Sequence, residues 1–167
     1  MVIGWRCAQN MDNIQNFILF VLDEHDFVIP LESVLRIARA VSVKPLPNAP
    51  DIVEGILNVQ GEVIPVVNLR KRFDFPPRPI EIEDHFIIAK TARRVIAILV
   101  DEVRDIIESQ QTQIVNRADI LPNMEFIEGV IKTDQDMYYI QDLDKLLSLE
   151  EEERLDASLK KSGSGDS

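Results

Sequence analysis

The sequence predicts an all-β protein with one C-terminal helix, made of two similar units that close into small barrels. Three observations carry this prediction. Short apolar runs bounded by turn residues dominate the chain, which is the pattern of strands rather than helices. Residues 53–73 align without a gap on residues 127–147, an internal repeat that sets Glu54–Gly55 on Glu128–Gly129, Ile64 on Tyr138, Leu69 on Leu143 and Lys71 on Lys145. Strong helical spacing occurs in one segment alone, where Leu143, Leu146, Leu147, Leu149 and Leu155 recur among many glutamates.

The elements follow in order. Phe17 to Leu22 and Phe27 to Ile29 form a hairpin about the polar turn Asp23, Glu24, His25, Asp26. Val41 to Pro50 contains three prolines and reads as an extended crossing loop, because proline cannot sit in a central strand. Gly55 to Val59 and Glu62 to Leu69 make a second hairpin that turns at Gln60–Gly61. Pro76, Pro77 and Pro79 form a stiff linker. Phe86 to Ala89 and Val95 to Val100 follow as strands, and Gly129 to Ile140 as a third hairpin. A helix is expected at about residues 142–160, with Ser148 and Glu151 spaced for a capping box at a second helical start. A weaker echo sets Leu31 to Ile37 against Val100 to Ile106, so the pseudo-repeat spans roughly 31–73 and 100–147. Residues 1–14 are expected to be a flexible extension, 15–160 a single domain, and the Gly/Ser-rich 161–167 a disordered tail. Closure into barrels removes exposed sheet edges and is favoured over open sheets.

Charge and composition exclude several classes of function. The chain of 167 residues carries a formal charge of -11, which disfavours nucleic acid and anionic membrane surfaces as partners. No apolar run approaches the roughly 20 residues that span a bilayer. Residues 1–10 lack the apolar region of a secretory signal, and the presence of one cysteine suits a reducing cytoplasm. Cys7 is the single cysteine, which precludes an intramolecular disulfide and a multi-cysteine metal site.

Catalytic patterns are also missing. His25 and His85 sit in acidic turns without HxH or HxxxH spacing, and read as solvated turn residues. No serine lies in a nucleophile elbow, and neither a dinucleotide fingerprint nor a P-loop is present. Close carboxylates such as Asp101–Glu102 are expected by chance among 29 acidic residues. The residues point to a non-enzymatic binding module with no cofactor and no metal. Such a module needs only an apolar patch with a polar rim.

PNAPDIVEGILNVQGEVIPVVNLRKRF resembles the signature segment of the CheW family of bacterial chemotaxis adaptors. HFIIAKTARRVIAILVDEVRDII resembles that family's second-barrel hairpin and VDEV element, and FIEGVIKTDQDMYYIQDLDKLLSLEEEERL its closing hairpin and helix. The resemblance runs from about Phe17 to Leu155. It implies two small SH3-like barrels around a shared hydrophobic core. It also implies an adaptor that links the cytoplasmic tip of a methyl-accepting receptor to the regulatory domain of the histidine kinase CheA, in arrays at the inner face of the membrane. The groove between barrels is then expected to hold a receptor helix, and the edge of one barrel to dock the kinase's matching barrel.

On this basis Val34, Arg36, Asn58, Gln60 and Glu62 are the candidate contact residues, and Gly55, Gly61 and Gly129 are structural. Three positions depart from the family pattern. Gln60 stands where the family has an arginine, Arg36 where many relatives have an acid, and Asn68 where an aspartate is usual. Such a charge reversal alters partner choice, which favours a specialised adaptor of one receptor or of a non-flagellar chemosensory pathway. Two other readings are a kinase-regulatory module and a small β-barrel enzyme or ligand binder. The first lacks a fused kinase or receiver here, and the second lacks a titrating or metal-binding group.

Overall fold

The computed structural model describes residues 14–110, 114–116 and 126–165. Eleven strands are described, in two sheets. They are β1 (Ile14–Leu22), β2 (His25–Pro30), β3 (Val34–Arg39), β4 (Val53–Val59), β5 (Glu62–Asn68) and β6 (His85–Lys90), then β7 (Val95–Val100), β8 (Glu102–Gln110), β9 (Ile114–Asn116), β10 (Ile127–Lys132) and β11 (Met137–Gln141). A short helix α1 (Leu69–Arg72) follows β5, and helix α2 (Leu149–Gly165) closes the described chain.

The sheets exchange strands between the two halves of the sequence. One runs in the order β8-β1-β2-β11-β10-β9 and the other β3-β6-β7-β5-β4. The hairpin β1–β2 is therefore completed by strands of the second half, and β6–β7 by strands of the first. Each sheet contains one parallel pair, β2 with β11 and β5 with β7.

Exchange explains the continuous apolar runs. Ile18, Phe20, Phe27, Ile29, Ile87, Ile96 and Ile98 all enter one core between the sheets. Their alternate neighbours face inside one barrel or the other. Phe17, Leu19 and Val28 join Ile131 and Ile140, while Phe86, Ile88, Ala97 and Leu99 join Leu57 and Ile64. A strand buried on both faces has no polar side to alternate with.

The repeat seen in the sequence is a repeat of backbone detail. A bulge displaces Gly55 in β4 and Gly129 in β10, each at the second residue after an apolar strand start. Gly55 is packed so closely that a Cβ there would lie 2.2 Å from the Lys44 carbonyl oxygen, which no side chain tolerates. Asn68 and Asp142 cap the following turns alike, accepting from the amides of Arg70 and Asp144. Their own amides donate to the carbonyls of Ile52 and Phe126. The weaker echo also holds: β3 pairs with β6 across a bulge at Leu35, and β8 with β1 across a bulge at Arg104. Neither segment shows an apolar run in the sequence, because these edge strands carry few buried residues.

Helix boundaries require a correction. Residues 142–148 are not helical throughout: Asp142 caps the 3-10 turn Leu143–Lys145, and α2 begins at Leu149. Leu143, Leu146 and Leu147 are drawn into the shared core, which bends the chain before the helix starts. The helix continues to Gly165, into the segment expected to be a disordered tail. Residues 1–13 and 166–167 lie outside the described residues, as does most of the expected extension.

Ser148 and Glu151 form the anticipated capping box. The Glu151 amide donates to Ser148 Oγ at 3.2 Å, and the Ser148 amide donates to Glu151 Oε1 at 2.8 Å. Burial raises the Glu151 pKa, but the Ser148 amide and the Arg72 guanidinium outweigh it and hold the carboxyl below its ordinary value. Ser148→Ala is expected to cost about 1 kcal/mol in urea unfolding at pH 7. Glu151→Gln is expected to destabilise the protein at neutral pH. Because the folded carboxyl is the stronger acid, this difference is present above the unfolded pKa and is lost as pH falls through the folded one. Equal losses at pH 7 and pH 3 would contradict it.

Candidate functional site

The five-stranded sheet leaves a seam between its two outermost strands, β3 and β4. Arg36, Asn58 and Gln60 line one groove there, with a volume of about 330 Å³. Leu57, Phe86 and Ile88 form its apolar floor, and Arg39 and Val41 continue its β3 side. Three of the five candidate contact residues are thus brought together by tertiary structure. Val34 is not among them, because it packs against the shared core. Glu62 begins β5 as an exposed residue outside the groove lining. Arg39 and the floor were missed in the sequence, since only the pairing of β3 with β6 places them together.

The hairpin beside the groove has an unusual turn. Gln60 and Gly61 have φ of 51° and 87°, the left-handed pair of a type I′ turn. Gly61 reaches that region freely, and its Cβ position faces open space. Gln60 reaches it at a cost. Asn58 Oδ1 accepts from the Gly61 amide at 2.9 Å, so this contact candidate also holds the turn. Gly129, expected to share a special backbone role, is not among the described residues with positive φ and serves instead at the β10 bulge.

A charge network fixes the elements behind the site. Arg70 is buried, and its Nη1 donates to Asp23 Oδ1 at 3.2 Å and to the Pro76 carbonyl at 2.9 Å. Its Nη2 donates to Asp101 Oδ2 at 2.7 Å. Arg78 bridges Asp101 and Asp84, and its hydrogen bond to Asp84 stabilises the charged guanidinium against the loss of solvation. These contacts tie the β1–β2 turn, α1, the proline linker and the end of β7 together. Asp84 is the buried carboxylate of this network, so removing Arg78 would strip it of its charged partner.

Asn68 has a local explanation. Its Nδ2 donates to Glu54 Oε1 at 2.7 Å while Oδ1 caps α1. In the second repeat the corresponding pair is Glu128 and Asp142. There the Glu128 pKa is raised, first by burial and then by the charges of Asp142 and Asp144. An amide at residue 68 keeps the cap and replaces that repulsion with a hydrogen bond.

Among the described residues no group of three or more His, Cys, Asp or Glu is placed to hold a metal ion, and no helix is long and apolar enough to cross a membrane. An exposed groove with an apolar floor and a polar rim, set on a rigid twin-barrel frame, defines a protein-binding scaffold. The profile of the CheW-like domain matches residues 16–151, and the chain belongs to that family. It is 29% identical to a chemotaxis protein CheW of Treponema pallidum, over 89% of this chain and 90% of that one. It is 28% identical to a chemotaxis protein CheW of Rhizobium meliloti, over 83% of this chain and 91% of that one. The crystal structure of the scaffolding protein TtCheW from Thermoanaerobacter tengcongensis superposes with a TM-score of 0.76 at 28% identity, covering 82% of this chain and 94% of that one. The chain is accordingly a chemotaxis-type adaptor, a scaffold rather than an enzyme.

Two substitutions test the local chemistry. Gln60→Asn is expected to stabilise the protein by about 0.5–1 kcal/mol, because Asn enters the left-handed region more readily. A thermal midpoint that stays level or falls would contradict the strain assigned to this turn. Asn68→Asp is expected to cost about 1 kcal/mol at pH 7 by losing the donor to Glu54 and adding a like charge. Urea unfolding of the two proteins at pH 7 measures the loss, and an unchanged midpoint would contradict the role given to the Asn68–Glu54 hydrogen bond.

Proposed function

We propose that this chain couples the cytoplasmic tip of a methyl-accepting chemotaxis receptor to the regulatory domain of the histidine kinase CheA. On this reading it works in the cytoplasm, in receptor arrays at the inner face of the membrane, with no nucleic-acid partner and no insertion into the bilayer. The observation that carries the proposal is the open β3–β4 seam, where Arg36, Asn58 and Gln60 surround an apolar floor at the edge of one barrel. A matching barrel of the kinase docks at this edge. The receptor helix lies between the barrels, and the corresponding strands β3 and β8 support that placement: each exposes an isoleucine, Ile37 and Ile106. Residues 15–160 act as one domain, because neither barrel has a complete set of strands without the other half of the chain.

A specialised role in a non-flagellar pathway is favoured by one observation. Arg36 and Gln60, the two departures in charge, line the same groove. The experiment is calorimetry of this chain against CheA regulatory domains and receptor cytoplasmic fragments from its own genome. Binding to one kinase–receptor pair, weakened about tenfold by Arg36→Glu, is the expected result. A folded chain that binds none of them removes the coupling role.

A further inference from the structure

The groove at the seam carries more chemical information than its apolar floor. Arg36 and Arg39 stand exposed on its β3 side. No salt bridge to either is found among the described residues, although the chain has a net charge of -11. Two uncompensated cations beside an apolar surface favour an anionic occupant.

The backbone around the groove is equally suggestive. Ile56 exchanges both of its backbone hydrogen bonds with Lys44, at 2.8 and 3.1 Å, on the side of β4 away from β5. The two-residue period of a strand then turns the Asn58 amide and carbonyl to that same side, beyond the bridge made by Lys44. On β3 the Ala40 amide donates to the Asp84 carbonyl, so the backbone groups of Arg39 point the other way, toward the open edge. Both walls of the groove therefore present strand edges suited to pairing with an added strand.

We propose that the groove takes an extended segment of an acidic partner protein, which pairs with the strand edge at Asn58, seats an apolar side chain on Leu57, Phe86 and Ile88, and brings carboxylates to Arg36 and Arg39. This rests on the reading of the seam as the kinase-docking face and makes the two arginines the residues that select the partner. A basic segment meets like charges at the same positions and is rejected.

Two fluorescein-labelled peptides of about ten residues test this, identical at their apolar positions and carrying Glu in one and Lys in the other. Anisotropy should show the acidic peptide binding at least about tenfold tighter, with the advantage shrinking as salt is added. The double variant Arg36→Glu, Arg39→Glu should reverse the order. Both side chains are exposed and unpaired, and a circular dichroism spectrum unchanged from the parent confirms the fold. Equal binding of the two peptides, or a preference that survives the double variant, overturns the proposal. The same variant titrated with the CheA regulatory domain separates the two readings. Undiminished kinase binding overturns the selection by arginines and leaves the docking face standing elsewhere. Acidic-peptide binding reversed by the variant, with no kinase binding in the parent, supports the selection and removes the kinase as its partner. Binding of neither peptide overturns the proposal, whatever the kinase domain does.

Discussion

The exchange of strands between the two halves of the chain is the constraint on which the rest depends. The hairpin β1–β2 reaches its parallel partner only in β11, and β7 receives its own from β5. Each barrel is therefore assembled from residues far apart in sequence. Neither half has a closed set of strands alone, and the shared core forms only when both are present. Non-local pairing of this kind carries a loop-closure cost that local structure cannot offset, so folding is expected to be cooperative across both barrels.

Double burial follows from that exchange and limits where function can reside. The strands β1, β2, β6 and β7 give one face to the shared core and the other to a barrel interior, leaving little surface for a partner. Accessible strand chemistry is left at the outer positions of the sheets. There β3 and β4 keep exposed polar side chains beside the apolar floor of the seam, while Arg70 and its aspartates hold the connections behind them. The rigid frame and the free edge are two consequences of one topology.

The repeat then diverged chemically at matched positions. Asn68 and Asp142 perform the same cap, but Glu54 has an amide donor where Glu128 faces acidic neighbours. Arg36 and Asp105 occupy corresponding places beside the bulges of β3 and β8, with opposite charge. Matching bulges and caps thus carry different side-chain chemistry in the two repeats. That is what an adaptor requires if its two sides are to distinguish their partners.

The sequence by itself determined the features that depend on neighbours along the chain. The hairpin at Gln60–Gly61, the capping box of Ser148 and Glu151, and the gapless repeat of 53–73 on 127–147 are all set by local spacing, and each is present in the fold. Local spacing also misled where the core intervened. The leucines at 143, 146 and 147 have helical periodicity, yet the shared core takes them as a turn and delays the helix to residue 149. Only the tertiary structure decided that Arg36, Asn58 and Gln60 meet in one groove, that the half-buried Val34 packs against the core, and that Arg39 joins the site. Those residues lie on strands whose neighbours are chosen by long-range pairing, and side-chain burial in a barrel is fixed by the strand that arrives beside it rather than by the residues that precede it.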